Sequence, residues 1–244
     1  MTSTAAFVVC TTPRTGSGLL GEALWKTGVA GEPDEYFNGA TAREYMAAWG
    51  VTDPRRYVDA MLERARTANG VFGLKLMAEQ LAELPRRLGI GGRDPLAALD
   101  ALAARLPNVT WVMLTRRDRV RQAISYWKAL NGHAFASTDP RAASIDERLL
   151  ASFDVAAVDR LLAEIDRGNV AWRTYFRERA VTPLSLVYED DLSDSFATGV
   201  AKVLAALAVA PPPGATVAVA RRPQADAVTE KLVERYKTAR PIAG

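Results

Sequence analysis

The segment Pro13-Arg14-Thr15-Gly16-Ser17-Gly18-Leu19 combines the residue types that bind a phosphate group. It follows an apolar run and precedes a helical pattern, so the N–H groups that open the helix would point at one spot. A helix N-terminus has unsatisfied donors and about half a positive charge, which favours anions. Arg14 adds a cation, and Thr15 and Ser17 add hydroxyl donors. The segment therefore predicts a phosphate-binding loop, with an ordinary turn capped by serine and glycine as the alternative.

The same segment argues against one familiar class of phosphate-binding protein. A nucleotide-hydrolysing P-loop has the pattern G-x-x-x-x-G-K-[ST], in which a lysine reaches the terminal phosphates. No lysine lies in the segment, and Arg14 precedes the glycines. A nucleotide kinase or another phosphoryl-transfer enzyme is therefore disfavoured, but it stays an alternative.

Arg116 and Ser125 form a second candidate anion site. Arg116 follows an apolar run, and Ser125 lies about two and a half turns into the helix predicted next. The two side chains can share a phosphate if the arginine lies back along this helix. Two alternatives stay open: a solvated basic face over Arg116–Arg121, partly neutralised by Asp118, and a helix that contacts nucleic acid.

Apolar runs that alternate with helical patterns must position these two sites. Continuous apolar runs predict buried strands at Ala6–Cys10, 71–76, 109–115 and 184–188. Helical patterns fall at 19–28, twice within 41–68, at 95–106, 118–130, 154–167, 169–179, 195–207 and 228–238. This alternation predicts an α/β fold with a mainly parallel central sheet flanked by helices. We expect residues 1–244 to form a single domain.

Composition narrows the possible classes of protein. The chain has 244 residues, 49% of them hydrophobic and 24% charged, which is typical of a folded globular protein. One cysteine and one histidine exclude a disulfide framework, a cysteine-rich zinc site and a triad of histidine metal ligands. The net charge of +3 is small for a dedicated nucleic-acid-binding protein. No apolar run reaches the ~20 residues of a membrane span, and no signal-peptide pattern opens the chain, so we expect a cytoplasmic protein.

Four segments resemble, in the same order, the bacterial trehalose 2-sulfotransferase family of the sulfotransferase superfamily. The matching segments are Cys10–Leu20 (CTTPRTGSGLL), Thr27–Phe37 (TGVAGEPDEYF), Asn69–Met77 (NGVFGLKLM) and Arg116–Trp127 (RRDRVRQAISYW). Tyr188-Glu189-Asp190 also resembles a Tyr-Glu-Asp motif that is common in sulfotransferases. Each match is short, but four in register cover most of the chain. The resemblance implies a P-loop-like sulfotransferase fold and a donor, 3′-phosphoadenosine 5′-phosphosulfate, with two separate phosphate groups.

The resemblance also implies roles for the matching residues. Those that would bind the 5′-phosphosulfate are Arg14, Thr15, Gly16, Ser17, Gly18 and Leu19, and those that would bind the 3′-phosphate are Arg116 and Ser125. Glu32 corresponds to the glutamate of a Gly-Glu-Pro motif that is assigned as general base. Arg14 would stabilise charge on the leaving phosphate. Arg222 and Gln224 lie in a segment, 222–226, that resembles the C-terminal loop closing over the donor. One departure is Gly18, where the family usually has a threonine.

The acceptor side has fewer matching residues. Glu35 and His133 compete with Glu32 for the role of base, and all three are candidate acceptor contacts. Lys75, at a predicted strand end, is either an acceptor or charge-stabilising contact or a surface lysine. We expect the acceptor pocket in residues 38–68 and 131–145, where the chain matches the family poorly.

Tryptophan rings are a further source of acceptor contacts, because a flat ring can lie against a sugar. Trp49 and Trp127 are the candidates for this role. Trp25 and Trp111 lie in apolar helix and strand patterns, and we expect both to be core residues. Glu189 and Asp190 are expected to cap a helix or to pair with arginines.

The leading prediction is an enzyme that moves a sulfuryl group from 3′-phosphoadenosine 5′-phosphosulfate to a hydroxyl of a trehalose-like carbohydrate or a glycosylated metabolite. The product of the donor would be 3′,5′-adenosine bisphosphate. No metal is expected, because the sulfuryl group has a single negative charge. The expected partner is a small hydroxyl acceptor, not nucleic acid or a membrane, and a homodimer is one option for the oligomeric state. The alternatives are a phosphoryl-transfer enzyme and a non-catalytic module that binds a nucleotide or nucleic acid.

Overall fold

Four strands and eleven helices make up the computed structural model, which describes residues 5–131, 142–210 and 227–241. The strands are β1 (Ala6–Thr11), β2 (Phe72–Met77), β3 (Val109–Thr115) and β4 (Leu184–Val187). The helices are α1 (Ser17–Lys26), α2 (Gly39–Trp49), α3 (Pro54–Arg64), α4 (Leu84–Arg87), α5 (Pro95–Ala103), α6 (Arg119–Leu130), α7 (Ala142–Ala151), α8 (Val155–Glu178), α9 (Tyr188–Asp191), α10 (Phe196–Ala206) and α11 (Ala227–Ala239). A 3₁₀ turn, Ala78–Gln80, follows β2.

The strands form one parallel sheet in the order β2-β1-β3-β4. Val8 of β1 lies between Leu74 of β2 and Trp111 of β3 in the register. Because β1 is central, its carboxyl end is adjacent to the carboxyl ends of both neighbours. A crevice at such a point is where open α/β sheets bind their ligands. The predicted α/β class with a parallel central sheet is confirmed.

Both faces of the sheet are buried, which explains why its strands read as continuous apolar runs. Val8 of β1 packs into a core cluster with Leu74 and Trp172, whereas its neighbour Val9 packs into a second cluster with Leu24 on the opposite face. Successive side chains of a strand point to opposite faces, so a strand that is covered on both faces is mostly apolar.

Helix α8 corrects one sequence-based prediction. The helices predicted at 154–167 and 169–179 are one continuous helix, because Gly168 does not interrupt it. A Cβ atom at this position would lie 2.8 Å from Thr12 Cγ2 and 2.8 Å from Ala78 Cβ. Gly168 therefore lets α8 lie against the carboxyl ends of β1 and β2, and this contact offsets the cost of glycine in a helix, which is about 1 kcal/mol.

Two further predictions differ from the structure. Residues 142–145, the end of a polar stretch that the sequence predicts to be a loop, belong to α7, which begins at Ala142, while residues 132–141 lie outside the described residues. Trp25, expected in the core, is 52% exposed. It follows the buried Leu24 by one position, and one position rotates a side chain by about 100° around the helix, away from the sheet.

Candidate active site

The loop between β1 and α1 turns sharply at Gly16, which has a left-handed backbone with φ 83°. A Cβ atom here would lie 2.7 Å from a ring carbon of Tyr188, so the position excludes any side chain. The carbonyl of Gly16 accepts hydrogen bonds from the amides of Leu19 and Leu20, both at 3.0 Å. The other first-turn amides of a helix have no acceptor within the helix, so they are available to a bound anion.

We expect Gly16→Ala to destabilise the protein more than Gly28→Ala does. Both glycines have a positive φ, which costs about 1–2 kcal/mol for a residue with a Cβ. Only Gly16 would also collide with a neighbour, since no atom lies within 4 Å of a Cβ at Gly28. Chemical denaturation of the two variants measures the difference. Equal losses of unfolding free energy would mean that the Tyr188 contact does not shape the loop.

Thr15 supports the loop from inside. It is buried, and its hydroxyl lies 2.6 Å from that of Thr11 and 3.3 Å from the carbonyl of Thr12. The Thr11 hydroxyl in turn donates to the carbonyl of Leu114, at 2.8 Å. The two threonines therefore tie the loop to β3. The hydroxyl of Thr15 is engaged in these bonds, while Ser17, Gly18 and Leu19 open α1.

The structure brings Arg14, Arg116 and Ser125 together. Arg14 Nε donates to Ser125 Oγ at 3.0 Å, and an Nη atom of Arg116 donates to the carbonyl of Arg14 at 3.2 Å. Burial lowers the pKa of both guanidinium groups, and the charge of Arg116 further lowers the pKa of Arg14. Two partly desolvated cations this close to a helix N-terminus form a site that an anion would stabilise.

Tyr188 and Glu189 hold Arg116 in place. The guanidinium lies 4.6 Å from the centre of the Tyr188 ring, and its Nε lies 3.8 Å from a carboxylate oxygen of Glu189. That Nε is buried and has no hydrogen-bond partner among the described residues. Glu189 also accepts from the amides of Arg117 and Asp118 at 2.8 and 3.0 Å. The expectation that this motif supplies a cap and arginine partners is confirmed.

The basic stretch after Arg116 is neutralised by carboxylates. Arg117 pairs with Asp190 at 2.5 Å, and the pairs of the next arginines are Arg119–Asp166, Arg121–Asp118 and Arg121–Glu230. A face on which each of these arginines has an acidic partner has little positive charge left for a nucleic-acid backbone. The structure therefore does not favour the nucleic-acid alternative.

Gln122 is a loop-supporting residue that sequence reasoning missed. Its side chain is fully buried, and its amide nitrogen donates to the hydroxyl of Thr12 at 3.0 Å and to the carbonyl of Pro13 at 2.7 Å. The residue lies within the matched segment Arg116–Trp127, so a signal existed. Nothing in the sequence says, however, that an amide on α6 reaches a loop more than a hundred positions earlier.

Residues 32–35 run alongside β2 and carry the two candidate bases. Asp34 pairs with Leu74 in a parallel bridge, so Glu35 lies nearer the carboxyl edge of the sheet than Glu32 does. Glu32 Oε1 accepts a hydrogen bond from the Tyr45 hydroxyl at 3.1 Å. That hydroxyl also donates to Asp34, at 3.2 Å. Tyr45 therefore links the carboxylates of Glu32 and Asp34.

Glu35 and Lys75 form an ion pair at the edge of the sheet. Lys75 Nζ lies 3.1 Å from Glu35 Oε1, and Gln80 donates to Glu35 Oε2 at 3.3 Å. The lysine side chain is buried, so it is not the surface lysine that was one sequence-based option. A buried ammonium beside a carboxylate keeps that carboxylate fixed in position.

The two tryptophan candidates have different surroundings. Trp49 is partly buried, and its ring lies 4.7 Å from that of Tyr45, the residue that binds Glu32. Trp127 is 3% exposed and packs edge-on against Phe153, at 5.3 Å, in the core of α6, α8 and α11. The structure therefore places Trp49 near the carboxylates and Trp127 in the core.

The remaining predicted site residues lie outside the described residues. These are His133, Arg222 and Gln224. Most of the predicted acceptor segment 131–145 is also outside this range.

A pocket of about 230 Å³ opens beside the loop. It is lined by Thr12 and Pro13 of the loop, by Ala78 and Glu79 after β2, and by residues of α8, namely Glu164, Ile165, Arg167, Gly168 and Ala171.

Among the described residues, no group of three or more His, Cys, Asp or Glu side chains could hold a metal ion. No helix in the described part of the chain is long and apolar enough to cross a membrane.

The parallel sheet and the two arginines beside the loop before α1 fit a sulfotransferase, and the family match shows that class. The profile of the Stf0 sulphotransferase family matches residues 6–239, and the chain belongs to that family. It is 29% identical to the trehalose 2-sulfotransferase of Mycobacterium tuberculosis (strain ATCC 35801 / TMC 107 / Erdman), with 98% of this chain and 96% of that protein covered. It is also 29% identical to the trehalose 2-sulfotransferase of Mycolicibacterium smegmatis (strain ATCC 700084 / mc(2)155), with 95% and 94% covered.

Among solved structures, the chain is similar to the sulfotransferase domain from the Synechococcus PCC 7002 olefin synthase. The two are 18% identical with a TM-score of 0.39, and the alignment covers 98% of this chain and 89% of that one. Family membership makes the protein an enzyme that takes a sulfuryl group from a donor. The predicted family and reaction class are confirmed.

Proposed function

We propose that the enzyme transfers a sulfuryl group from 3′-phosphoadenosine 5′-phosphosulfate to a hydroxyl of a carbohydrate. The observation that carries the choice of donor is the pair of adjacent, partly desolvated arginines, Arg14 and Arg116, at the start of α1. The curated relatives, which are named trehalose 2-sulfotransferases over nearly the whole length of the chain, support a carbohydrate acceptor.

The residues at the loop fit a ligand with two anionic groups. Arg14 and the first amides of α1 would hold the 5′-phosphosulfate, and Arg116 with Ser125 would hold the 3′-phosphate. The buried Nε of Arg116, which has no hydrogen-bond partner among the described residues, fits this assignment because a buried donor without an acceptor is costly. When bound, the donor supplies an activated sulfuryl group whose leaving group is a phosphate.

Arg14 and the helix amides would stabilise the leaving phosphate. Negative charge grows on the 5′-phosphate as the bond from sulfur to its bridging oxygen breaks. Donors that are already fixed in a partly desolvated site stabilise this charge without reorganising. The bonds from Thr11, Thr15 and Gln122 that hold the loop supply this fixed geometry.

Glu35 is the better-placed base of the two carboxylates in the segment. The parallel bridge between Asp34 and Leu74 puts Glu35 beyond Glu32 in the direction of the edge that bears the loop. The negative charge of Glu35 is near enough to Glu79 to raise the pKa of that residue, and Glu79 lines the pocket beside Thr12 and Pro13. Glu35 would take the hydroxyl proton as the acceptor oxygen attacks sulfur. The role predicted for Glu32 stays a prediction, and the matched variants in the Discussion separate the two.

Calorimetric titration with 3′,5′-adenosine bisphosphate tests the donor. We expect saturable binding without added Mg²⁺, and much weaker binding of adenosine 5′-monophosphate, which lacks the second phosphate. Absence of heat at millimolar bisphosphate in a folded sample would contradict the proposal. Binding of ATP with Mg²⁺ but not of the bisphosphate would support phosphoryl transfer instead.

A screen of sugars with radiolabelled donor tests the acceptor. The panel contains trehalose, glucose, sucrose and methyl glucosides, with 4-nitrophenol as a control whose hydroxyl is not on a carbohydrate. We expect label to move to at least one sugar, with trehalose the first choice because of the named relatives. Donor binding without transfer to any sugar would contradict the carbohydrate acceptor and leave the donor assignment intact.

A further inference from the structure

The pocket between the loop and α8 has one wall formed by the loop that would bind the donor, and its other walls carry ionisable side chains. Thr12 and Pro13, which form the first wall, directly precede Arg14. Glu79, Glu164 and Arg167 are the ionisable residues of the other walls. The volume of about 230 Å³ is below the ~300–1,000 Å³ of pockets that enclose drug-sized ligands. A pocket of this size suits one small ring, with its apolar walls against the ring and the ionisable residues for the ring's hydroxyls.

The walls of this pocket are fixed by contacts described above. Gln122 holds Thr12 and Pro13 through two hydrogen bonds. Gly168 lets α8 come into contact with Thr12 and Ala78, and Gln80 ties the 3₁₀ turn to Glu35. Glu79 is part of that turn, so the backbone that carries it is held relative to both the loop and the proposed base. A side chain in this position is suited to orient a ligand.

We propose that Glu79 is an acceptor-positioning residue, whose carboxylate accepts hydrogen bonds from hydroxyls of the sugar while another hydroxyl of that sugar faces Glu35. This inference rests on the proposed function. A carboxylate accepts hydrogen bonds only, and neighbouring sugar hydroxyls are donors that can satisfy both of its oxygens. Hydrogen bonds with a charged partner are stronger than neutral ones, so the ionised form binds the sugar better.

The charges around Glu79 make this role depend on pH. Glu79 is an exposed residue on the wall of the pocket, and desolvation by the protein around it together with the nearby carboxylates of Glu35 and Glu164 raises its pKa above the ordinary value of 4.5. Of the other groups around it, Lys75 pairs with Glu35, Arg167 lines the same pocket, and the Tyr126 hydroxyl donates to Glu164 at 3.4 Å. Because this pKa is raised, Glu79 changes from protonated to ionised at a higher pH than an ordinary glutamate does.

The Michaelis constant for the acceptor, measured from pH 6 to 8 at saturating donor, tests the inference. The acceptor is the sugar with the highest turnover in the screen above. In the wild type, we expect this constant to fall as the pH rises through the raised pKa of Glu79. In Glu79→Gln it should be about tenfold higher at pH 8 and nearly independent of pH, with kcat little changed. Glu79→Asp, which keeps the charge, should restore part of the pH dependence.

Glu83→Gln is the matched control, because Glu83 is an exposed glutamate four positions further on that pairs with Arg86 and does not line the pocket. It should behave like the wild type. Calorimetry with 3′,5′-adenosine bisphosphate should give the same affinity for all of these variants. An unchanged Michaelis constant in Glu79→Gln, with bisphosphate binding and sugar transfer intact, would overturn the role of Glu79 and leave the proposed function standing. A wild type that binds no bisphosphate and labels no sugar would overturn both.

Unfolding gives a second measurement that needs no acceptor. The pKa of Glu79 is higher in the folded protein than its ordinary value of 4.5, so its ionised form is disfavoured by folding. This cost is complete above the raised pKa and vanishes below pH 4.5. Glu79→Gln should therefore raise the melting temperature at pH 8, and the gain should shrink as the pH falls towards 5. A gain that does not depend on pH would contradict the assigned electrostatics.

Discussion

Turnover in the Glu35→Gln variant should fall by about 10²–10⁴-fold, because this is the usual contribution of a general base. An amide cannot take the proton that the acceptor hydroxyl loses as its oxygen attacks sulfur. The affinity for 3′,5′-adenosine bisphosphate should stay near that of the wild type, since Glu35 lies beside β2 and contacts Lys75 and Gln80. The measurements are kcat at saturating donor and acceptor, and calorimetry with the bisphosphate.

Glu32→Gln is the matched control for this experiment. The two variants remove one negative charge each from the same segment, three residues apart. If turnover falls more in Glu32→Gln, then Glu32 is the base, as the Gly-Glu-Pro motif predicts. Melting temperatures must accompany both measurements, because Glu35→Gln removes the charged partner of a buried lysine.

The Arg116→Gln variant should bind 3′,5′-adenosine bisphosphate about 10- to 100-fold more weakly than the wild type. Loss of one hydrogen bond to a charged group costs about 1.5–3 kcal/mol, and each 1.4 kcal/mol is a factor of ten. The affinity for adenosine 5′-monophosphate, which lacks the 3′-phosphate, should change much less. Calorimetric titration with the two ligands gives both affinities.

Arg117→Gln controls for the loss of positive charge. Arg117 is the next residue, but it is exposed and pairs with Asp190. It should bind both ligands like the wild type at physiological ionic strength, where exposed charges are screened. Equal losses for the two ligands in Arg116→Gln would mean that Arg116 acts only through the carbonyl of Arg14, by shaping the loop. The assignment of the 3′-phosphate would then be wrong.

The sheet and the loop before α1 could be predicted because each depends on contiguous residues. A parallel strand that is covered on both faces is mostly apolar, so β1, β2, β3 and β4 are visible as apolar runs in the sequence. The loop before α1 is visible for a related reason, because a tight turn, a nearby cation and a helix start all fall within a few positions.

The acceptor side could not be predicted in this way, because its residues come together only in three dimensions. Glu35 and its ion-pair partner Lys75 are forty positions apart in the sequence. Glu79 is more than eighty positions from Glu164 of α8, which lines the same pocket. Gly168 looks like a helix break when only neighbouring residues are considered. Its actual role, letting α8 contact Thr12, depends on a partner far away in the chain. The place of Trp127 could not be predicted for the same reason. The sequence motif around it does not show that it packs among helices in the core, where no ligand can reach it.

The strand order divides the enzyme into two halves that can change independently during evolution. Residues proposed to bind the donor, or to hold those that do, come from the loop after β1, from the α6 side of β3, and from the segment after β4. Residues proposed to bind the acceptor come from the opposite edge, next to β2, and from α8. Substitutions at that edge would change which sugar is modified without disturbing the binding of the common donor. A lineage of such enzymes can therefore acquire new acceptors while the chemistry of sulfuryl transfer is inherited unchanged.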